Sequence, residues 1–164
     1  MSRNHSTARV RGSAGLCGRK STQGMSLIEV LVSVLVLSLG LLGIAALQSM
    51  ALRGGQSSLE SSQAVMQASS IVEAMRANSL DATSYNTAKI CSAGSVSGTS
   101  LAKNDLRAWL DSMKGTLGTV GDTTTCGKIE DCPAACKVTV YWDDSRGGSD
   151  MGGSNRSMAL EARI

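Results

Sequence analysis

Three regimes of hydrophobic patterning divide the chain. In the first, no residue from Val30 to Leu52 is charged, and 30–47 is Val, Leu, Ile, Ala and Gly broken only by Ser33 and Ser38. As a helix, these 23 residues span ~35 Å at ~1.5 Å per residue. That length crosses the ~30 Å hydrocarbon core of a bilayer. In the second regime, residues 56–77 contain no proline or glycine, and Ala64, Ala68, Ile71 and Met75 recur at steps of four, three and four. This spacing lines up one helical face, while Gln56, Glu60, Gln63, Gln67, Glu73 and Arg76 supply the wetter sides. The two regimes together predict one helix from about Met25 to Ala77, ~80 Å long. Gly40, Gly43 and the Gly54-Gly55 pair are its weak points, since each glycine costs about 1 kcal/mol relative to alanine. At Gly40 and Gly43, small residues either let helices pack closely in a membrane or permit local unwinding.

The third regime is mixed. Residues 78–102 read as a connector rich in Ser, Ala, Thr and Gly, with Cys91 as a tether. Leu106, Trp109, Leu110 and Met113 then form an i, i+3, i+4, i+7 stripe, the mark of a short amphipathic helix. Asn104 is its expected N-cap and Gly115 its stop. Further on, Val138, Val140 and Trp142 alternate with Thr139, Tyr141 and Asp143, and Met158, Leu160, Ala162 and Ile164 alternate with Ala159, Glu161 and Arg163. Both patterns predict half-buried strands, joined by the Gly/Ser/Asp-rich loop Asp144–Ser157. Earlier strands are expected around Leu117–Gly121 and near Lys128. The expected fold class is α+β, one long N-terminal helix packed on a small antiparallel β-sheet.

Charge changes the picture at the N-terminal end. Residues 1–24 carry Arg3, Arg9, Arg11, Arg19 and Lys20 and no acid. Glu29 then stands at the near edge of the apolar run, where an ionised carboxylate costs less than at the centre but still wants a partner. Either it reaches back to water, or it neutralises a positive charge provided by another subunit. A secretory signal is cut after its apolar region, whereas the candidate junction here, Gly24–Met25, precedes it. A cut there keeps the membrane helix on the mature chain and places a new amine four residues from Glu29. The basic flank stays in the cytoplasm by the positive-inside rule, which puts everything after about Arg53 in the periplasm of a Gram-negative cell or beyond. The expected organisation is a leader at 1–24, a transmembrane half-helix at 25–53, and a periplasmic domain at 54–164 that includes the rest of the helix.

Net charge +3 belongs largely to the leader. Removing five of the 16 basic residues and none of the 13 acids leaves 11 − 13 = −2, so the basicity that would invite nucleic acid is gone. Lys103, Arg107 and Lys114 read as the solvated face of the short helix. The mature chain has no Phe, two Trp and two Tyr, so its core must rely on Leu, Val, Met and Ala. Cys17 leaves with the leader. Cys91, Cys126, Cys132 and Cys136 remain, an even number that reads as two disulfides with three pairings open. Each would contribute ~2–4 kcal/mol. The C-x5-C-x3-C spacing lacks the paired C-x2-C of zinc sites, and His5 is lost with the leader, so no metal and no cofactor are expected. The same loss leaves no histidine for a Ser-His-Asp or Cys-His site, and the chain is not expected to be an enzyme. Asp143 and Asp144 would point to opposite faces of a strand, and Asp143–Asp150 lacks EF-hand spacing.

In its basic leader, the Gly24 before the cut, the Glu29 after it and the apolar helix, the chain resembles the type IV prepilins. That resemblance implies the pilin fold. It also implies that prepilin peptidase cuts after Gly24, that the Met25 amine is N-methylated, and that Glu29 pairs with the Met25 amine of a neighbouring subunit. Met25 departs from the phenylalanine common at the first mature position in major pilins, which argues against a main shaft subunit. Leu106-x-x-Trp109, the strand Val138–Asp144, the terminal strand Met158–Ile164, the region Gly40–Met50 and Val72-Glu73-Ala74-Met75-Arg76 resemble the minor pilin family called type IV pilus modification protein PilV. This implies a low-abundance subunit that helps initiate pilus assembly and supports adhesion and twitching motility. The implied partners are other minor pilins, the major pilin, prepilin peptidase, the inner-membrane assembly machinery and membrane lipid before assembly, with no nucleic acid. The implied location is the inner membrane, single-pass, and then the cell-surface pilus. A minor pseudopilin of a type II secretion system shares the leader, Glu29 and fold and is the alternative; a signal-anchored periplasmic protein is a more distant one.

Overall fold

The computed structural model describes residues 24–148 and 152–164, and its longest element is helix α1, Leu27–Ala77. The helix runs through Gly40, Gly43, Gly54 and Gly55 without a break, because the strong helix formers around them outweigh the cost of each glycine. The chain divides into two compact units, Met1–Leu41 and Leu42–Ile164. In the described part of the first unit every residue is exposed.

The second unit builds its core from three elements. The later part of α1 buries Ala64, Ala68, Ile71, Val72 and Met75, which contains the stripe read from the sequence. Helix α2, Leu101–Thr116, buries Leu106, Trp109, Leu110 and Met113. The sheet is a meander of β1 (Thr87–Ile90), β2 (Cys126–Glu130), β3 (Cys136–Trp142) and β4 (Arg156–Ala162), in the order β1-β2-β3-β4 with every pair antiparallel. Register sets Ile129, Val138 and Leu160 in one row across the sheet and Gly127, Val140 and Met158 in the next. Val138 and Val140 are wholly buried, and Met158 and Leu160 pack half-buried against the same core. Three of the four aromatic side chains, Tyr85, Trp109 and Trp142, are spent inside it. The architecture is α+β, a long N-terminal apolar helix packed on a small antiparallel four-stranded sheet, as in the pilin fold.

Four local expectations need correction. Leu117–Gly121 is not a strand: the Leu117 N–H closes α2 on the Met113 carbonyl, and Asp122 then accepts the N–H groups of Thr119, Thr124 and Thr125. A carboxylate that takes up backbone donors in this way diverts them from a ladder into a turn. The first strand is instead Thr87–Ile90, within the segment read as connector, preceded by a 3-10 turn at Ser79–Tyr85. Helix α2 begins earlier than Asn104, capped by Ser100, whose Oγ accepts the Lys103 N–H, and it passes Gly115 to end at Thr116. Lys103, Arg107 and Lys114 do not form a solvated face. Lys103 donates to the Ser84 carbonyl, Arg107 to those of Val96 and Gly98, and Lys114, 7 % exposed, to that of Asp122. Loop carbonyls without a ladder partner need donors, and these three cations supply them.

Candidate processing and assembly segment

Gly24, Met25 and Ser26 precede the first turn of α1 and carry no helix or strand. The Ser26 carbonyl receives the N–H groups of Glu29 at 3.0 Å and Val30 at 3.3 Å, which opens the helix at Leu27. Glu29 therefore falls in the first turn, where unpaired N–H groups favour an anion. The same placement leaves Gly24 and Met25 exposed and outside the helix, with Met25 75 % exposed. The geometry thus presents a short accessible peptide directly before a carboxylate. Among the described residues no salt bridge includes Glu29.

The surface behind Glu29 is apolar on every side. All large hydrophobic side chains from Met25 to Leu52 are 45–78 % exposed. The two serines in the run do not interrupt it, because Ser33 Oγ donates to the Glu29 carbonyl at 2.7 Å and Ser38 Oγ to the Leu35 carbonyl at 2.8 Å. A helix apolar all round is covered by lipid or by other helices, and this one is long and apolar enough to cross a membrane. A Cβ at Gly40 or Gly43 would meet nothing within 4 Å, so neither glycine makes room for a neighbour among the described residues.

The four cysteines among the described residues all fall in the second unit. Cys91 is bonded to Cys126 and Cys132 to Cys136, one of the three pairings the sequence leaves open. The first ties the residue after β1 to the start of β2, and the second closes the turn between β2 and β3. Asp143 and Asp144 fall just past β3: Asp143 accepts the Ser145 N–H at 2.9 Å, whereas Asp144 is wholly buried.

A polar cluster around Asp144 was missed by the hydrophobic pattern. Ser57 Oγ donates to Asp144 Oδ2 at 2.5 Å and Arg146 Nη2 to Glu60 Oε1 at 2.6 Å. Glu60 belongs to the inner face of α1, not to its wetter side, and is only 7 % exposed. The signal was present: Glu60 stands four residues before Ala64, one turn back along the buried stripe.

Comparison with known families gives a match at the N-terminal end. The prokaryotic N-terminal methylation motif covers residues 19–45, which include Gly24, Met25, Glu29 and the first part of the apolar helix. No curated protein and no solved structure matches the chain. The motif implies processing by prepilin peptidase and handling by pilus assembly machinery, and its apolar helix is consistent with an inner-membrane anchor. Together with the long helix on a four-stranded sheet, the motif supports a type IV pilin or pseudopilin kind of protein.

Proposed function

We propose that the chain is a minor type IV pilin, a non-enzymatic subunit made as a membrane-anchored precursor and assembled into a surface pilus. One observation carries the reading: a single carboxylate, Glu29, stands in the first turn of a helix whose large apolar side chains from Val30 to Leu52 are all exposed. On this reading residues 1–24 are a leader removed between Gly24 and Met25, and the freed Met25 amine is methylated. Residues 25–53 hold the subunit in the inner membrane with the rest of the chain in the periplasm. When subunits leave the bilayer, Glu29 pairs with the Met25 amine of a neighbouring helix, and lipid is exchanged for other helices along Val30–Leu47. The partners are the major pilin and other minor pilins, and the output is adhesion and twitching motility.

The test is intact mass and N-terminal sequencing of the membrane-extracted protein from cells with and without prepilin peptidase. A chain beginning at methylated Met25 only when the peptidase is present supports the reading. Retention of residues 1–24 in both strains removes it. Deletion of the gene then separates the pilus from the type II secretion alternative, since the first predicts lost twitching and the second lost secretion.

A further inference from the structure

Two carboxyl groups meet inside the second unit, one from helix α1 and one from the β3–β4 connection. Glu60 is 7 % exposed and Asp144 is not exposed at all, and crossed contacts draw them together: Ser57, three residues before Glu60, donates to Asp144 Oδ2, and Arg146, two residues after Asp144, donates to Glu60 Oε1. Glu60 Oε2 and Asp144 Oδ1 are buried and receive no hydrogen bond. Among the described residues, charged neighbours come from the connection, from β4 and from α1. Arg146, in the connection, reaches Glu60 Oε1 at 2.6 Å, but its side chain is 68 % exposed and shares its charge with water. Arg156, on β4, stands 3.8 Å from Asp144 Oδ2. On α1, Arg53 approaches Gly148, where an added Cβ would lie 3.8 Å from its Nη1. Asp143 turns to Ser145. Positive charge is thus already supplied by guanidinium groups, and no cluster of three metal-ligating side chains occurs among the described residues.

What the pair lacks is a donor. Two ionised carboxylates within reach of each other repel, and burial deepens the penalty. One proton on either group turns the opposed acceptors into an O–H···O bond. Asp144 is well placed to transmit the result, because its backbone ties the ends of the β3–β4 connection together. Its N–H donates to the Gly153 carbonyl at 2.9 Å, and its carbonyl accepts from Gly147 at 3.0 Å and Gly153 at 3.1 Å. The packing leaves no slack, since a Cβ on Gly152 would sit 2.0 Å from the Asp144 carbonyl oxygen. We propose that Glu60 takes up a proton and donates it toward the Asp144 carboxylate, which makes the attachment of the β3–β4 connection to α1 a proton-binding contact that tightens as pH falls. Burial pushes the Glu60 carboxyl above its ordinary 4.5, Arg146 opposes the rise and Asp144 adds to it. A group raised in the folded state contributes stability that is full below its unfolded value and is lost as pH rises through its folded value.

The test is thermal unfolding of the full-length protein in detergent micelles, followed by the fluorescence of the buried Trp109 and Trp142, for wild type and Glu60→Gln. The amide replaces the Glu60 proton with a permanent donor. Glu60→Gln should melt about 3 °C or more above wild type at pH 7.5 and level with it near pH 4. A variant that melts at or below wild type at pH 7.5 overturns the proposal, because the ionised Glu60–Arg146 pair would then be the stabilising contact. If Glu60→Gln does not fold, a carbon-13 titration of the assigned Glu60 carboxyl in wild type decides. Titration above the ordinary glutamate range supports the proton on Glu60, and titration at or below that range overturns it.

Discussion

At Asp122 one carboxylate collects the N–H groups of Thr119 and Thr124 at 2.9 Å and of Thr125 at 2.6 Å, with Lys114 Nζ 3.6 Å away. Burial pushes this carboxyl up, but the three backbone donors and the Lys114 ammonium outweigh it and bring it down to about 2 from 3.8. With the folded value below the unfolded one, ionised Asp122 stabilises the fold at every pH above 3.8. That contribution, about 2 kcal/mol, is lost as pH falls through about 2. Asp122→Asn should therefore cost about 2 kcal/mol at pH 7 and flatten the decline in stability between about pH 4 and pH 2. Denaturant titrations across that range measure both effects, and an unchanged acid limb would assign the decline to another carboxylate. The run Asp122-Thr123-Thr124-Thr125 was legible as an Asx-type turn. Leu117–Gly121 is no strand because the Thr119, Thr124 and Thr125 N–H groups go to Asp122 and not to a ladder. Glu60 is a different case, since its charge reads as a wetter side although its position lies on the buried stripe.

At the scale of elements, what could be read and what could not divide along periodicity. Helix α2 and strands β3 and β4 repeat an apolar residue at 3.6 or 2 positions, and both periods are visible without the fold. Strand β1 is four residues long and owes its identity to pairing with β2 and to the Cys91–Cys126 bond, neither of which leaves a local pattern. Gly127 is a sharper case. It sits within β2, where glycine ordinarily weakens a strand, yet a Cβ there would fall 2.4 Å from the Trp109 ring. The residue is glycine because α2 lays that ring directly on the sheet. Gly127→Ala should destabilise the fold by about 1–3 kcal/mol through overpacking. Gly115→Ala, inside α2 where an added Cβ meets nothing within 4 Å, should stabilise it by up to about 1 kcal/mol. Thermal melts of the two variants side by side check the contrast, and equal effects would mean that intrinsic propensity, not contact with Trp109, governs position 127.

For the whole molecule, the apolar half of α1 makes sense only beyond the single chain. Its large apolar side chains from Met25 to Leu52 are all exposed, and a Cβ at Gly40 or Gly43 would meet nothing within 4 Å among the described residues. The segment itself is plain in the sequence, because a charge-free run of that length has few other uses, but what covers it leaves no trace in the chain's own pattern. Under the proposed assembly, apolar packing provides most of the binding and Glu29 provides register. Opposite charges ~4 Å apart attract by about 4 kcal/mol at an effective dielectric of ~20, and desolvation takes back a large part of that gain. The penalty for misalignment remains, since a shifted helix leaves a carboxylate buried without a partner. Glu29→Ala removes attraction and penalty together, so the precursor should still be cut after Gly24 while its share in sheared pili falls at least about tenfold, the equivalent of ~1.4 kcal/mol. Quantitative immunoblots of the sheared and whole-cell fractions give that ratio directly. Cleavage without incorporation places Glu29 in assembly rather than in recognition by the peptidase, whereas incorporation at the wild-type level would leave packing of the apolar helices as the whole of the driving force.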